Sequence, residues 1–435
     1  MKPYEKYVPS GVEWIGDIPV GWEVKKLKYL FFIYNGATPK SDNDDFWNGD
    51  ITWVTPADFS TAQKYIHKSE RQITKEGLNS CATKLVPNGS IIISNRAPIG
   101  TVGISAVPLT TNQGCKSMVK KTIIDERYIY YFLSTQSTQL NICGKGTTFL
   151  ELSNSDLSSF TVPLPNADIQ TAIANYLDRE TARLDNIIKV KETLIERLKE
   201  KRTALITHAV TKGLDSNAKM KPSGVAWIGD IPDGWEVKKI KYVAKKSLMY
   251  GANESPDDFD ETQPRYIRIT DIDENGKLRD DIAVSLDIEK AKPYLLKKDD
   301  ILFARSGATV GKSYIFDQDI LACFAGYMIK FEPQKAKIVP KFAYYITFSK
   351  MYLNWIESNT IQATIQNVSA EKYNNFYLPL PQVEVQNTIV AFLNSETSKL
   401  DTTIEKTKLS IEKLKEYRTA LISACVTGKI DVRSV

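Results

Sequence analysis

The chain has 435 residues, 42% of them hydrophobic and 25% charged, with a net charge of +5. That length is more than one ordinary core and suits two to four domains, and the composition is that of a globular rather than a disordered chain. The charge permits a nucleic-acid partner without demanding one. No apolar run approaches the roughly 18 residues of a membrane-spanning helix, and the opening "MKPYEKYVPSG" contains no apolar signal region. Five dispersed cysteines (Cys81, Cys115, Cys143, Cys323, Cys425), with no CxxC pair, fit a reducing cytosol, so a cytoplasmic location is expected. His67 and His208 are the only histidines, which argues against a structural zinc site and against a histidine-dependent hydrolase or nuclease.

Along the chain, the first distinctive stretch is "PSGVEWIGDIPVGWEVKKLKY" at 9–29. It returns as "PSGVAWIGDIPDGWEVKKIKY" at 222–242, identical at 18 of 21 positions. The repeat continues. "WVTPADF" (53–59) aligns with "YIRITDI" (266–272), "NRAPIGTVG" (95–103) with "ARSGATVG" (304–311), "YIYYFLS" (128–134) with "FAYYITF" (342–348), and "FTVPLP" (160–165) with "FYLPLP" (376–381). Residues 169–215 and 385–431 agree at 21 of 47 positions without a gap. Uniform drift after duplication would spread the differences evenly, but here they concentrate in the middle of each half. The ends read as shared scaffold, and the middles as two versions of one reading device.

The middles, 24–165 and 237–381, predict mixed α/β structure. Short β-rich runs at 90–94, 301–304 and 327–331 alternate with turn signals, and one helix is expected around 126–139 with a counterpart at 340–354. Each middle leads into a long helix, preceded by Pro165 or Pro381 and followed by Gly213 or Gly428. Ile173, Leu177, Leu184, Ile188, Ile195, Leu198 and Leu205 form an apolar stripe near a heptad seam, repeated in type at Ile389, Leu393, Leu400, Ile404, Ile411, Leu414 and Leu421. About 42 residues without Gly or Pro make a helix about 63 Å long. Two such helices related by a pseudo-two-fold would bury their seams against each other, antiparallel.

Catalytic motifs are not evident. "SGATVGKS" (306–313) imitates a phosphate-binding loop but has Ser306 where the first glycine is needed, and the first copy has Ile104 in place of the lysine. A Gly-permitted turn pointing Arg96 or Arg305 outward is the plainer reading.

In order, the "SGVEWIGDIPVGWEV" opening, "GATPK" (36–40), an Arg…Gly…VG turn, "NQG" (112–114) and "LSNSDLSSFTVPLP" (152–165) ahead of a long helix, all duplicated, resemble the specificity subunit of type I restriction–modification systems. The second copy departs from this pattern, with "MYGANESP" (249–256) in place of "GATPK". The resemblance implies an α+β fold: two mixed α/β target recognition domains joined by a pair of long antiparallel coiled-coil helices, in an internal pseudo-two-fold repeat. On this reading residues 1–165 form the first recognition domain, 166–215 the first spacer helix, 216–381 the second recognition domain, and 382–435 the second spacer helix and tail. The implied partners are double-stranded DNA with a bipartite asymmetric site, two copies of a methylation subunit, and a restriction subunit reached through the complex. No cofactor is expected in this chain. S-adenosylmethionine, ATP and magnesium belong to the partners, so the chain itself is expected to be non-catalytic.

Candidate DNA contacts in the first middle are Arg96, Asn112, Gln113, Lys116, Lys145, Thr147 and Thr148. In the second they are Arg265, Arg268, Arg305, Lys312, Tyr327, Gln362, Thr364 and Gln366. Arg suits guanine edges, and Asn or Gln suits adenine. The middles carry only +4 (15 basic, 11 acidic) and +2 (21 basic, 19 acidic), which leaves much of the phosphate affinity to the partners. A stand-alone two-headed DNA-binding regulator and a coiled-coil protein scaffold remain as alternatives.

Overall fold

The computed structural model describes residues 2–59, 64–96, 98–144, 150–273, 276–360 and 367–433. Its contacts divide the chain into two units, Met1–Lys191 with Leu409–Val435, and Glu192–Lys408. Both divisions fall inside the long helices Ala167–Lys212 and Val383–Val426. Each unit therefore holds one mixed domain and a portion of each helix.

In the first unit a five-stranded sheet runs in the order 31–35, 115–120, 91–94, 102–105, 65–66. Its first four strands pair antiparallel, and the last pairs parallel. Strand 91–94 shows why "SIIIS" is apolar throughout. Ile91 and Ile93 face a core shared with Tyr128, Ile129 and Phe132, while Ile92 faces the opposite way onto Val54, Val86 and Cys115. Alternate residues of a strand covered on both faces must all be apolar. The second unit repeats this with 249–250, 328–331, 301–304 and 313–315, where Ile301 and Phe303 enter one core and Leu302 another. A parallel pairing recurs as well, 109–111 with 47–54 and 265–267 with 322–324. The aligned "TPAD" and "RITD" segments each make a short turn of helix, with Asp58 accepting from Thr55 N at 2.7 Å and Asp271 from Arg268 N at 2.8 Å.

The single helices expected near 126–139 and 340–354 are each two: Glu126–Ser134 and Ser137–Cys143, then Pro340–Ile346 and Lys350–Asn359. The breaks fall where hydroxyls bond back to helix carbonyls, Thr135 to Phe132 and Thr347 to Tyr344. Ser349 then caps the next helix through Tyr352 N. Such side chains offer the backbone an alternative to continuing the helix.

The duplicated opening has the same two roles in both units. Its strand 23–26 pairs antiparallel with 161–164, and 236–239 with 377–380, the segments that lead into the long helices. It also closes a helix end. In the first unit Gly428 (φ +74°) packs on Pro19 and Trp22, and the Tyr7 hydroxyl donates to its carbonyl at 3.0 Å. In the second, Gly213 (φ +77°) packs on Trp235 and Pro232. A left-handed residue after the last turn is where glycine is favoured.

Within each unit the two helix segments run antiparallel. In the first, Tyr128 Oη bonds the Pro163 carbonyl at 2.6 Å and the Val426 carbonyl at 3.0 Å, while further along Arg418 meets Asp185 at 2.8 Å. In the second, Ile206 and Val210 share a core with Ile389 and Leu393, and Arg202 meets Asp401 at 2.9 Å. Of the stripe residues, Ile173, Leu177, Leu184, Ile188, Ile195, Ile389, Leu393, Ile404, Ile411 and Leu421 are buried, and Leu198, Leu205, Leu400 and Leu414 are half-buried.

Candidate nucleic-acid interface

In the first unit three loops gather at the end of strand 31–35. Gly36 N donates to the Cys115 carbonyl at 3.2 Å and Ala37 N to the Thr111 carbonyl at 3.0 Å, bringing the loop after that strand onto the "NQG" loop. A Cβ on Gly36 would collide with the Asn112 carbonyl, which is why this position needs glycine. Thr38 bonds Gln113, and the Asn112 side chain accepts from Gly114 N at 2.9 Å. Asn95, just past strand 91–94, takes a third loop there, donating from N to the Gly114 carbonyl at 3.0 Å and accepting from Leu152 N at 2.9 Å. Glu151 ties the cluster together, accepting from Asn95 Nδ2 at 3.1 Å and pairing with Arg96 at 3.2 Å.

The second unit builds the same junction from different side chains. Gly251 N donates to the Met328 carbonyl at 3.3 Å and Ala252 N to that of Phe324 at 2.9 Å, so "MYGANESP" keeps the Gly-Ala geometry of "GATPK" and diverges after it. Arg305 N donates to the Tyr327 carbonyl at 3.0 Å, and its own carbonyl accepts from Val368 N at 2.8 Å. These bonds match those of Asn95, as do the strand registers Ser94↔Cys115 and Ala304↔Met328. The structural counterpart of Arg305 is therefore Asn95, one residue before the Arg96 suggested by sequence similarity. By the same bonds Glu151 corresponds to Asn367.

The candidate residues separate by environment. Gln113 and Arg96 are exposed at the first junction and Asn112 is half-exposed. Lys116 is buried there, donating to Asn35 Oδ1 at 2.7 Å. Burial holds its ammonium below the usual lysine range, with Glu151 opposing that shift. At the second junction the Tyr327 ring is 71% exposed, and the Arg305 guanidinium lies over the Tyr250 ring at 4.6 Å. Arg265, Arg268 and Lys312 are committed within the chain. Arg265 is held by Asp280 and the Arg279 carbonyl, both at 2.7 Å. Arg268 is held by buried Asp271 and the Ile282 carbonyl, both at 2.8 Å, and Lys312 by the Ile272 carbonyl at 2.8 Å. Lys145, Thr147, Thr148, Gln362, Thr364 and Gln366 lie outside the described residues.

Sequence reading missed Asn95, and it named neither Glu151 nor Asn367 singly, although the stretches "KGTTFLELS" (145–153) and "IQATIQNVS" (361–369), which hold them at matching positions, align in the repeat. Asn95 Oδ1, Arg305 Nε and Asn367 Oδ1 are buried and make no hydrogen bond, although buried polar groups almost always find a partner. Asn95 and Arg305 sit at equivalent positions in the two junctions, and Asn367 stands where the first has Glu151. Shifting the repeat by one residue, to match strand register rather than arginine identity, would have exposed the correspondence. Among the described residues no group of three or more His, Cys, Asp or Glu could hold a metal ion, and no helix is long and apolar enough to cross a membrane.

The type I restriction modification DNA specificity domain matches this chain twice, over residues 19–200 and 232–415. The MjaIX specificity subunit of Methanocaldococcus jannaschii is 26% identical across 97% of this chain and 96% of its own length. The EcoR124I/EcoR124II specificity subunit of Escherichia coli is 33% identical over a shorter stretch, 36% of this chain and 40% of that one. Among solved structures, a chain from work on complex assembly and conformational transition of the type I R-M system shares the fold with a TM-score of 0.74. It has 14% identity and covers 95% of this chain and 99% of its own. The HsdS subunit of Thermoanaerobacter tengcongensis gives a TM-score of 0.52, also at 14% identity, covering 95% and 98%. With both halves of the repeat matched, the chain belongs to the type I restriction–modification specificity subunits.

Proposed function

We propose that this chain recognises a bipartite, asymmetric DNA site and directs methylation and restriction subunits to it, contributing recognition but no chemistry of its own. Each junction takes one half of the site. The observation that carries the reading is one backbone frame with different side chains. Asn95 with Glu151 stands where the other junction has Arg305 with Asn367, and Lys116 pairs with Asn35 where the other has Ile329 and Tyr250. Arg305, with its guanidinium propped on Tyr250, suits a guanine edge. In the first junction Gln113 and Asn112 suit adenine, and Glu151 offers an acceptor of the kind that reads cytosine N4. The exposed Arg96 and Tyr327 flank these groups, while Arg265, Arg268 and Lys312 brace the second domain. Lys145, Thr147, Thr148, Gln362, Thr364 and Gln366 belong to segments adjoining Glu151 and Asn367 in sequence and complete the proposed contacts.

The test is co-expression with the methylation subunit in a host free of adenine methylation, followed by mapping of methyladenine across the genome. An interrupted motif with unlike halves, appearing only when both subunits are present, is expected. Absence of new methylation with a soluble, cofactor-loaded partner would refute the proposal and favour the regulator or scaffold readings.

A further inference from the structure

We infer that Arg305 and Tyr327 act together as a two-base reader, the arginine taking a guanine and the tyrosine packing on the 5-methyl group of a thymine in the adjacent base pair. This rests on the specificity-subunit reading above. Strands 301–304 and 328–331 pair with Ile301 opposite Phe331 and Ala304 opposite Met328. One step further along the same register Arg305 stands opposite Tyr327, donating from N to its carbonyl at 3.0 Å. Residues directly opposite on antiparallel strands carry their side chains on the same face, with Cβ atoms about 5 Å apart. Successive base pairs are about 3.4 Å apart along a duplex, so two long side chains at that spacing meet neighbouring base pairs.

The tyrosine ring contributes little to the fold. It is 71% exposed, more than any other tyrosine among the described residues. The backbone beneath it is fixed on both sides. Gly326 N donates to the Ala252 carbonyl at 2.6 Å, and Met328, which is fully buried, donates from N to the Ala325 carbonyl at 2.9 Å. A Cβ on Gly326 would collide with the Asn253 side chain. A large ring with two rotatable bonds on such a backbone loses little entropy on contact. In the first unit Asn95 N makes the matching bond to the Gly114 carbonyl at 3.0 Å, so Gly114 takes the place of Tyr327. A Cβ there would lie 2.9 Å from Pro56 and 3.2 Å from Asn112 Oδ1. The first junction is closed where the second projects a phenol.

The chemistry of the pair selects the base. In the major groove the thymine methyl is the apolar group offered by a base edge, and the O4 acceptor lies beside it. The face of the Tyr327 ring suits the methyl. The neighbouring guanidinium, held over Tyr250 at 4.6 Å, donates only, and so favours guanine O6 and N7 and thymine O4 over the amino groups of adenine and cytosine. Gly114 gives the other half of the site no such contact.

The experiment uses the chain co-expressed with its methylation subunit. A methyladenine map gives the motif, and the same map with Arg305→Ala marks the guanine that this arginine reads. A thymine is expected in a base pair next to that guanine, and a motif without one overturns the inference. Binding of the complex is then measured on duplexes in which deoxyuridine, which lacks the methyl, replaces each thymine in turn. Replacing the thymine beside the guanine should weaken wild-type binding about fourfold, the worth of one buried methyl group. Tyr327→Ala should bind the thymine and deoxyuridine duplexes equally, Tyr327→Phe should keep the preference, and thymines of the other half-site should respond alike in all three proteins. Because deoxyuridine alters the DNA alone, equal binding of the two duplexes by wild type overturns the inference whether or not a variant folds. An unchanged preference in Tyr327→Ala overturns it too. So does a loss common to all sequences in both variants with a shallower salt dependence, the mark of a hydroxyl on phosphate. If wild type yields no interrupted motif at all, the specificity-subunit reading itself fails and the inference falls with it.

Discussion

The two units differ least at the long helices and most at the loop junctions. At the helix ends Trp22 and Trp235, each beside a proline, pack on Gly428 and Gly213. On the helix flanks Arg418–Asp185 and Arg202–Asp401 are the same ion pair in both, and Tyr131 and Tyr345 each reach a seam threonine, Thr181 and Thr397. At the junctions the backbone bonds of Asn95 and Arg305 coincide while their side chains have nothing in common. One layer of each unit is thus constrained by packing and shared partners, and in the other the backbone bonds and a glycine are common to both units while the side-chain bonds, such as those of Glu151 to Asn95 and Arg96, belong to one alone.

The largest effects should come from the shared layer and be equal in both units. Trp22 and Trp235 are 6% and 7% exposed, and replacing either with alanine should cost about 3–5 kcal/mol, read as a fall in unfolding midpoint in urea. Very unequal costs would break the equivalence. Arg305→Ala should act on one half of the site alone, relaxing one base position by about 1–3 kcal/mol and leaving the other half unchanged in a methylation map. Changes in both halves would contradict separate readers.

The glycines sharpen the comparison. Alanine at either Gly213 or Gly428 must adopt a left-handed backbone at about 1–2 kcal/mol. At Gly428 its Cβ would also collide with Pro19, whereas at Gly213 the nearest atom, on Trp235, is 3.3 Å away. Melting should therefore show Gly428→Ala as the more destabilised.

The smallest effect lies in acid. Burial pushes the Asp178 carboxyl up, but hydrogen bonds from Lys64, Tyr131 and Arg127 outweigh it and hold the group below the usual aspartate range. A depressed carboxylate contributes stability that is complete above its unfolded value, about pH 4, and is lost as pH falls through the folded one. The second unit has Asn394 at this position, bonded to Tyr345 at 2.8 Å. Asp178→Asn should therefore remove part of the acid dependence of stability, seen as a shallower loss below about pH 4. An unchanged acid profile would mean the network contributes nothing.

Much of this was legible in the sequence. The 3.5-residue spacing of the stripe and the Pro and Gly that bracket it announce both helices, because burial of a helix face imposes that period. The duplicated opening announces the repeat. The helix breaks at Thr135–Gln136 and Thr347–Ser349 were hidden, since hydroxyl-to-carbonyl bonds leave the apolar pattern intact across them. The junctions were only partly legible. Residue type singled out Arg265, Arg268 and Lys312 as readily as Arg305, and the partners that occupy the first two are Asp280 and Asp271, whose proximity depends on how the chain folds back. Asn95 escaped because similarity aligned the two arginines while strand register sets them one residue apart.

The most direct test of the account is a chain in which residues 24–165 are replaced by 237–381, so that both units carry the second junction, co-expressed with the methylation subunit and mapped for methyladenine. If each unit reads its own half-site, the map must show one interrupted motif with two identical, inverted halves. Persistence of an asymmetric motif in that chain would contradict the account, because the difference between the two middles would then not be what the DNA site records.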